Sequence, residues 1–288
     1  MKKVLITGGK GYIARNLVPL FEAGGYEVLA PSRTEMNLLD EPMTSDYIQR
    51  EKPQIIIHAA ARGVDKSIQN DWDKVFVENM IMWETLETVA CYEGTCVQKL
   101  LILGSGAEFD LRFPIRELDG SQIQYTYPMD PYGLSKNLIT LRALQNYRHT
   151  HVLRLFGCFN WDENPTRFIK ASILNLKRGL PIKINHNREM DFFYLDDIYT
   201  VMDFIIQNEH CPRDLNLVFS EKHTLLEVAG LIHKHMATFN PNIELLNLGK
   251  DMPYTGSAYY INRFRLINDN FKLIGLEEGI RRTIQKLT

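Results

Sequence analysis

Short apolar runs alternate with longer amphipathic stretches through the first half of this chain, and that alternation leaves few folds open. Val4–Ile6, Glu27–Ala30, Ile55–His58, Leu100–Leu103 and Val152–Leu155 read as buried strands. Helical stretches near Tyr12–Ala23, Pro42–Lys52, Asp73–Tyr92 and Tyr132–Tyr147 lie between them. Strand-helix units of this length predict parallel strands joined by right-handed crossovers, hence an α/β fold with a doubly wound parallel sheet. In such sheets a ligand lies beyond the carboxyl ends of the strands. After about residue 157 the pattern changes. Asp162-Glu163-Asn164-Pro165 reads as a loop, and Thr166–Arg178 as an amphipathic helix closed by Gly179. Phe192–Leu195 is expected to return to the sheet, followed by a helix from Asp196 to about Gln207. Leu225–Met236 and Leu276–Lys286 read as later helices. No repeat, low-complexity tract or long linker separates the halves, so a smaller C-terminal lobe is expected to be interleaved with the sheet domain. The expected division is residues 1–157 plus about 191–218 in the sheet domain, and about 158–190 and 219–288 in the lobe.

The first strand runs into Thr7-Gly8-Gly9-Lys10-Gly11-Tyr12-Ile13-Ala14. Gly8 permits a tight turn, Gly11 lets the backbone approach a pyrophosphate, and small Ala14 allows close helix-sheet packing. The helix opening at Tyr12 and Ile13 offers its amides to the phosphates. A glycine-rich turn alone is weak evidence, but this one sits between a predicted strand and helix, the Rossmann context for dinucleotide binding. The second strand ends Leu29-Ala30-Pro31-Ser32-Arg33, where an NAD enzyme usually places Asp or Glu to hold the ribose hydroxyls. Ser32 and Arg33 instead suit a 2′-phosphate, and Lys10 can reach the same group, so the expected cofactor is NADP(H). The competing reading makes Arg33 and Lys10 solvated surface charges. Asp40 is a candidate for the adenine edge, or an ordinary polar loop residue.

Asp130-Pro131-Tyr132-Gly133-Leu134-Ser135-Lys136 starts a helix, with Asp130 suited to the N-cap and Pro131 to the first turn. Tyr132 and Lys136 then share a helix face. A tyrosine hydroxyl, with an unperturbed pKa of ~10, needs a nearby cation to exchange protons at neutral pH. Lys136 supplies it and can also hold a nicotinamide ribose. Ser105, at the end of the fourth strand in Leu103-Gly104-Ser105-Gly106, can donate to a substrate carbonyl or hold the tyrosine. Each of these is unremarkable alone, as an exposed Tyr-Lys pair or a Ser in a glycine turn. The order of fingerprint, Ser105 and YxxxK carries the signal.

Over its whole length the chain resembles the extended short-chain dehydrogenase/reductases, the superfamily of nucleotide-sugar epimerases, dehydratases and reductases. TGGKGYIA, HAAA at His58–Ala61, Asn79, LGSGAEF at Leu103–Phe109, PYGLSK and DFFYLDD at Asp191–Asp197 occur in family order. Lys10, Arg33 followed by NLLD, and LGS are similar to GDP-fucose-synthase-like members. Ala60-Ala61-Arg62-Gly63-Val64-Asp65-Lys66 is similar to the dTDP-4-keto-rhamnose reductases. The resemblance implies that Ser105, Tyr132 and Lys136 are the catalytic set. It adds Ala59, Ala60, Ala61 and Asn79 to the cofactor-binding residues, and it implies a homodimer built on two helices from each subunit. In fucose-synthase-like members a Cys two residues past the catalytic Ser and a His after the next strand carry out epimerisation. Here those places hold Ala107 and Phe159, neither able to carry a proton, and Cys158 beside Phe159 faces the other way along a strand. Many members place an Arg directly before the DF motif to reach the nucleotide diphosphate. Met190 stands there, with Arg188 two residues earlier. Arg188 and Arg263 are the substrate-binding candidates alongside Ser105, with Lys183 and Arg265 behind them.

The expected activity is NADPH-dependent reduction of a keto group, at C4, on a nucleotide-linked deoxysugar, without epimerisation at C3 or C5. Rival readings are a 4-epimerase with tightly held NAD and a non-catalytic NADP(H)-sensing protein. A formal net charge of -2 argues against nucleic-acid or anionic-membrane partners. Cys91, Cys96, Cys158 and Cys211 show no zinc-ligand spacing and read as reduced thiols in a cytoplasmic protein, with no metal expected. Met1-Lys2-Lys3 enters the first strand directly, so no signal peptide or membrane span is expected.

Overall fold

The computed structural model describes residues 1–63, 72–91, 94–236, 243–245 and 252–288, with 243–245 described through the backbone alone. Val64, Asp65 and Lys66 of the expected family motif lie outside the described residues. In chain order the first elements are β1 (Lys3–Thr7), α1 (Tyr12–Ala23), β2 (Glu27–Leu29), α2 (Glu41–Glu51), β3 (Ile55–His58), α3 (Trp72–Ala90) and β4 (Lys99–Ser105). The middle of the chain gives β5 (Ile115–Leu118), α4 (Pro131–Asn146), β6 (Thr150–Leu155), β7 (Cys158–Phe159), α5 (Phe168–Lys177) and β8 (Ile182–Ile184). Then come β9 (Phe193–Tyr194), α6 (Leu195–Gln207), β10 (Asp214–Leu217), α7 (Leu225–His235) and β11 (Ile243–Leu245). The last are β12 (Tyr254–Gly256), α8 (Tyr259–Ile267) and α9 (Leu276–Leu287). Among the described residues no helix is long and apolar enough to cross a membrane.

The described residues form two compact units. The first comprises Met1–Leu111, Gly120–Arg154 and Val201–Leu215. Its six-stranded sheet runs in the order β2-β1-β3-β4-β6-β10, and β1 pairs in parallel with both β2 and β3, as β3 does with β4. The doubly wound α/β expectation holds. Val4, Leu5, Ile6, Ile56, Ile57, Leu101 and Ile102 are wholly buried. Both sheet faces are covered, which is why these strands are continuously apolar rather than alternating. On one face Leu5, Ile56, Ile102 and Val152 pack against Tyr47 and Ile48 of α2, Trp83 and Leu86 of α3, and Ile139 and Ala143 of α4. The connection after β1 leads outward to β2, and the chain then returns to β3 on β1's other side. That reversal opens a crevice at the carboxyl ends of β1 and β3.

The second unit comprises Arg112–Asp119, Leu155–Thr200 and Asn216–Thr288. Ile169 and Ile173 of α5, Val228 and Ile232 of α7, and Ile280 and Ile284 of α9 close around Phe159, Ile182 and Tyr194. Helix α5 stops where Gly179 turns to φ 68°, with its N–H on Leu176 O at 3.0 Å and Leu180 N–H on Asn175 O at 2.9 Å. One expectation is corrected here. The run Phe192–Leu195 does not rejoin the central sheet. Its strand β9 pairs in parallel with β7, through Cys158–Phe193 and Phe159–Tyr194. Its aromatic rings explain the choice, since Phe192 stacks on Phe168 and Phe193 on Phe219 within the second unit. The sixth place in the central sheet goes to β10.

Candidate active site

Helix α4 begins as its residues dictate. The Asp130 carboxylate accepts the Gly133 N–H at 2.7 Å, and Pro131 occupies the first turn. Gly133 is needed for packing, because a Cβ there would overlap Ala107 O and the Asp130 carboxylate. The helix start is therefore pressed onto the turn that follows β4. Tyr132 is half-buried, whereas Lys136 is 3% exposed and donates from Nζ to Leu103 O at 2.9 Å. Burial pulls the Lys136 ammonium down to about 8, with the Glu108 carboxylate opposing. Asn79 braces the same helix, donating to Ser135 Oγ at 3.1 Å, while its Oδ1 accepts the Arg62 N–H at 2.7 Å.

Ser105 closes β4 and caps a short 3-10 turn, Gly106–Glu108. Its Oγ accepts the Ala107 N–H at 3.2 Å, which leaves the hydroxyl proton to be donated elsewhere. The turn is anchored from behind by a charge network whose Glu108 and Arg154 side chains are wholly buried. Glu108 Oε1 accepts the Ser105 N–H at 2.7 Å, and its Oε2 accepts Arg154 Nε–H at 2.8 Å. Arg154 also donates from Nη1 to Asp214 Oδ1 at 2.8 Å, which joins β6 to β10. Burial pushes the Glu108 carboxyl up, and the Arg154 guanidinium works against that shift.

The crevice beside β1 and β3 is a cavity of about 430 Å³ lined by Gly8, Gly9, Lys10, Gly11, Ser32, Arg33 and Ala59–Ala61, among others. Gly8 has φ 70°, and a Cβ on it would stand 2.9 Å from Ala60 Cα, so only glycine brings the two turns this close. Gly11 caps α1, its N–H on Gly8 O at 2.7 Å, and Tyr12 and Ile13 open the helix. His58 is buried beneath, sharing a 3.1 Å hydrogen bond with Thr7 Oγ1, which accepts the Ala60 N–H at 3.1 Å. Burial first, and then the Lys136 charge, drop the His58 imidazole to about 3, so it is neutral. Arg33 donates to Asn37 Oδ1 at 3.2 Å. Asp40 caps α2, accepting the Met43 N–H at 3.0 Å.

In the second unit Lys183, His186 and Arg188 line a cavity of about 390 Å³ with Phe168 and Leu225. Arg188 lies over the Tyr254 ring and contacts Met190 Sδ at 3.7 Å. Arg263 lines neither this cavity nor the crevice and is engaged with Tyr259 Oη at 2.7 Å. Ala107 and Phe159 are both buried.

The family model for the NAD dependent epimerase/dehydratase family matches residues 4–217. The chain belongs to this family. It is 28% identical over 258 residues to the GDP-L-colitose synthase of Yersinia pseudotuberculosis, a match covering 81% of this chain and 81% of the relative. It is 39% identical over 191 residues to a GDP-L-fucose synthase of Azorhizobium caulinodans, covering 62% of this chain and 60% of that one. The GDP-mannoheptose C4 reductase of Campylobacter jejuni, solved with NADP bound, superposes on 99% of this chain and 98% of its own. Its TM-score is 0.80 at 16% identity, a likeness of fold.

Within this epimerase/dehydratase member, two carboxylates near the predicted residues went unread in the sequence. Both carry the same legible signal, a Ser followed three residues later by Glu. One is Glu108 behind Ser105. The other is Glu35, whose Oε2 accepts both the Ser32 N–H at 2.8 Å and the Ser32 hydroxyl at 2.7 Å.

Proposed function

We propose that this chain is an NADPH-dependent ketoreductase acting at C4 of a nucleotide-linked deoxysugar, without epimerising C3 or C5. The observation that carries the reading is Lys136, buried at the end of β4 on the helix that also bears Tyr132 and pressed against the Ser105 turn. The glycine cradle of Gly8 against Ala60, with Lys10 and Arg33 at its rim, fits a dinucleotide with a 2′-phosphate. NADPH, when bound, supplies the hydride. Ser105 turns its hydroxyl proton toward the substrate carbonyl and orients it. Tyr132 delivers a proton to the carbonyl oxygen as negative charge develops there. Lys136 lowers the tyrosine pKa by its charge and grips the nicotinamide ribose. The sugar-nucleotide class is supported by the relatives named as GDP-sugar synthases. Arg188 and Lys183, on one basic cavity, suit a diphosphate, and His186 beside them adds a third donor. Ala107 and Phe159 offer no titratable group for epimerisation.

The test is NADPH oxidation, followed at 340 nm, with a panel of GDP- and dTDP-linked 4-keto-6-deoxyhexoses. Consumption by the native chain is expected, with Tyr132→Phe slower by ~100- to ~10,000-fold. Retention of more than about a tenth of the rate in Tyr132→Phe, far above that range, refutes the assignment of the proton donor.

A further inference from the structure

We propose that Glu35 sets the strength of the NADPH preference, because it holds the Ser32 donors that a cofactor's 2′-phosphate needs. The inference rests on the reading of the β1/β3 crevice as the dinucleotide site. Ser32 and Arg33 line that crevice just past β2, beside Lys10. The two donors of Ser32, its N–H and its hydroxyl, converge on one oxygen of Glu35 at 2.8 and 2.7 Å. A phosphate oxygen is held by this same convergence of an amide and a hydroxyl. The Ser32 hydroxyl also lies 2.8 Å from Thr34 Oγ1, so the turn is already hydrogen-bonded around the carboxylate. Arg33 is kept in the turn by Asn37 Oδ1 at 3.2 Å.

Charge sharpens the competition. Hydrogen bonds from the Ser32 backbone and side chain, with the Lys10 charge adding, hold the Glu35 carboxyl below its usual range, so it is ionised at neutral pH. A 2′-phosphate entering between Lys10 and Arg33 meets that negative charge. It must either displace Glu35 from Ser32 or bind without those two donors. An unphosphorylated ribose brings no such charge and leaves the Ser32–Glu35 pair in place. The cofactor preference is thus a balance of two cations against one resident carboxylate, and Glu35 lowers it. Glu35 is exposed, so replacing it does not threaten the fold.

The experiment titrates NADPH and NADH, by nucleotide fluorescence at pH 7.5, into the native chain, Glu35→Gln, Glu35→Ala and Arg33→Ala. Glu35→Gln keeps the shape and a neutral acceptor for Ser32. It is expected to tighten NADPH by roughly 3- to 10-fold and to leave NADH within about twofold. The gain should shrink in ~0.5 M salt, because the charges are exposed. If Glu35 merely shapes the turn, Glu35→Ala weakens both cofactors together, and Glu35→Gln leaves the NADPH/NADH ratio unchanged or reduced; either result overturns the proposal. Failure of the underlying reading looks different: the native chain then binds neither nucleotide, or Arg33→Ala leaves NADPH affinity intact.

Discussion

Burial pushes the Glu163 carboxyl from its ordinary 4.5 up to about 7, although Lys170 N–H donates to it at 3.1 Å. In the unfolded chain the same group ionises near its ordinary value. Between those two pH values the folded state binds more protons, so stability falls as pH rises through the window. Glu163→Gln removes the ionisation while keeping an acceptor for Lys170. It should raise stability above pH 7 by at most about 3 kcal/mol and leave it unchanged near pH 4.5. Thermal unfolding of both chains at pH 5 and pH 8 checks the sign; an equal gain at both excludes it. His58 works in the opposite direction. Its neutral buried ring gives stability that is present above pH 6.5 and lost as pH falls toward about 3. Since His58 is common to both chains, it cancels in the comparison. The burial of Glu163 was not legible beforehand, because Asp162-Glu163-Asn164-Pro165 has the composition of a solvated loop. That Tyr132 and Lys136 share one helix was legible, because helix spacing can be read without knowledge of burial.

At the scale of elements, the close approach of α4 to the turn after β4 is the joint on which the candidate site depends. Gly133→Ala drives a methyl group into Ala107 O, and overpacking of this kind costs about 1–3 kcal/mol. Gly230 on α7 provides the contrast, since a Cβ there meets nothing within 4 Å. Gly230→Ala should be neutral or stabilising by up to about 1 kcal/mol, through helix propensity alone. Denaturant unfolding of the two variants side by side tests this, and equal stability of Gly133→Ala and the native chain would contradict the packing described. The apolar strands of the sheet and the Asp130-Pro131 helix start were legible because their signals are local. Strands β5 and β12 were not. They pair Ile115 with Tyr254 and Leu118 with Gly256, and neither Ile-Arg-Glu-Leu nor Tyr-Thr-Gly carries the apolar run that marks a strand as short as β3. The run at Phe192–Leu195 was recognised as a strand and assigned to the wrong sheet, because apolar content reveals burial and not the partner. Helix α8 was missed as well, since its apolar face is interrupted by Asn262, Arg263 and Arg265.

At the scale of the molecule, the candidate site was legible to the extent that it gathers at the ends of early strands, where order along the chain and position in space agree. The charge network behind it was not, because Arg154 and Asp214 are brought together from positions 60 residues apart. The first unit draws on Val201–Leu215, which follow a long stretch of the second. A fragment ending at residue 157 therefore lacks β10, leaving the outer edge of β6 unpaired and Arg154 without one of its carboxylates. Such a fragment should show no cooperative thermal transition, and a sharp one by circular dichroism would count against this account. The same feature bears on synthesis. During synthesis the glycine turn after β1 emerges well before β10, so the sheet that carries the turn gains its last strand only with residues 214–217. The half made first is finished late, and until then the nascent protein offers an open strand edge to any neighbouring chain.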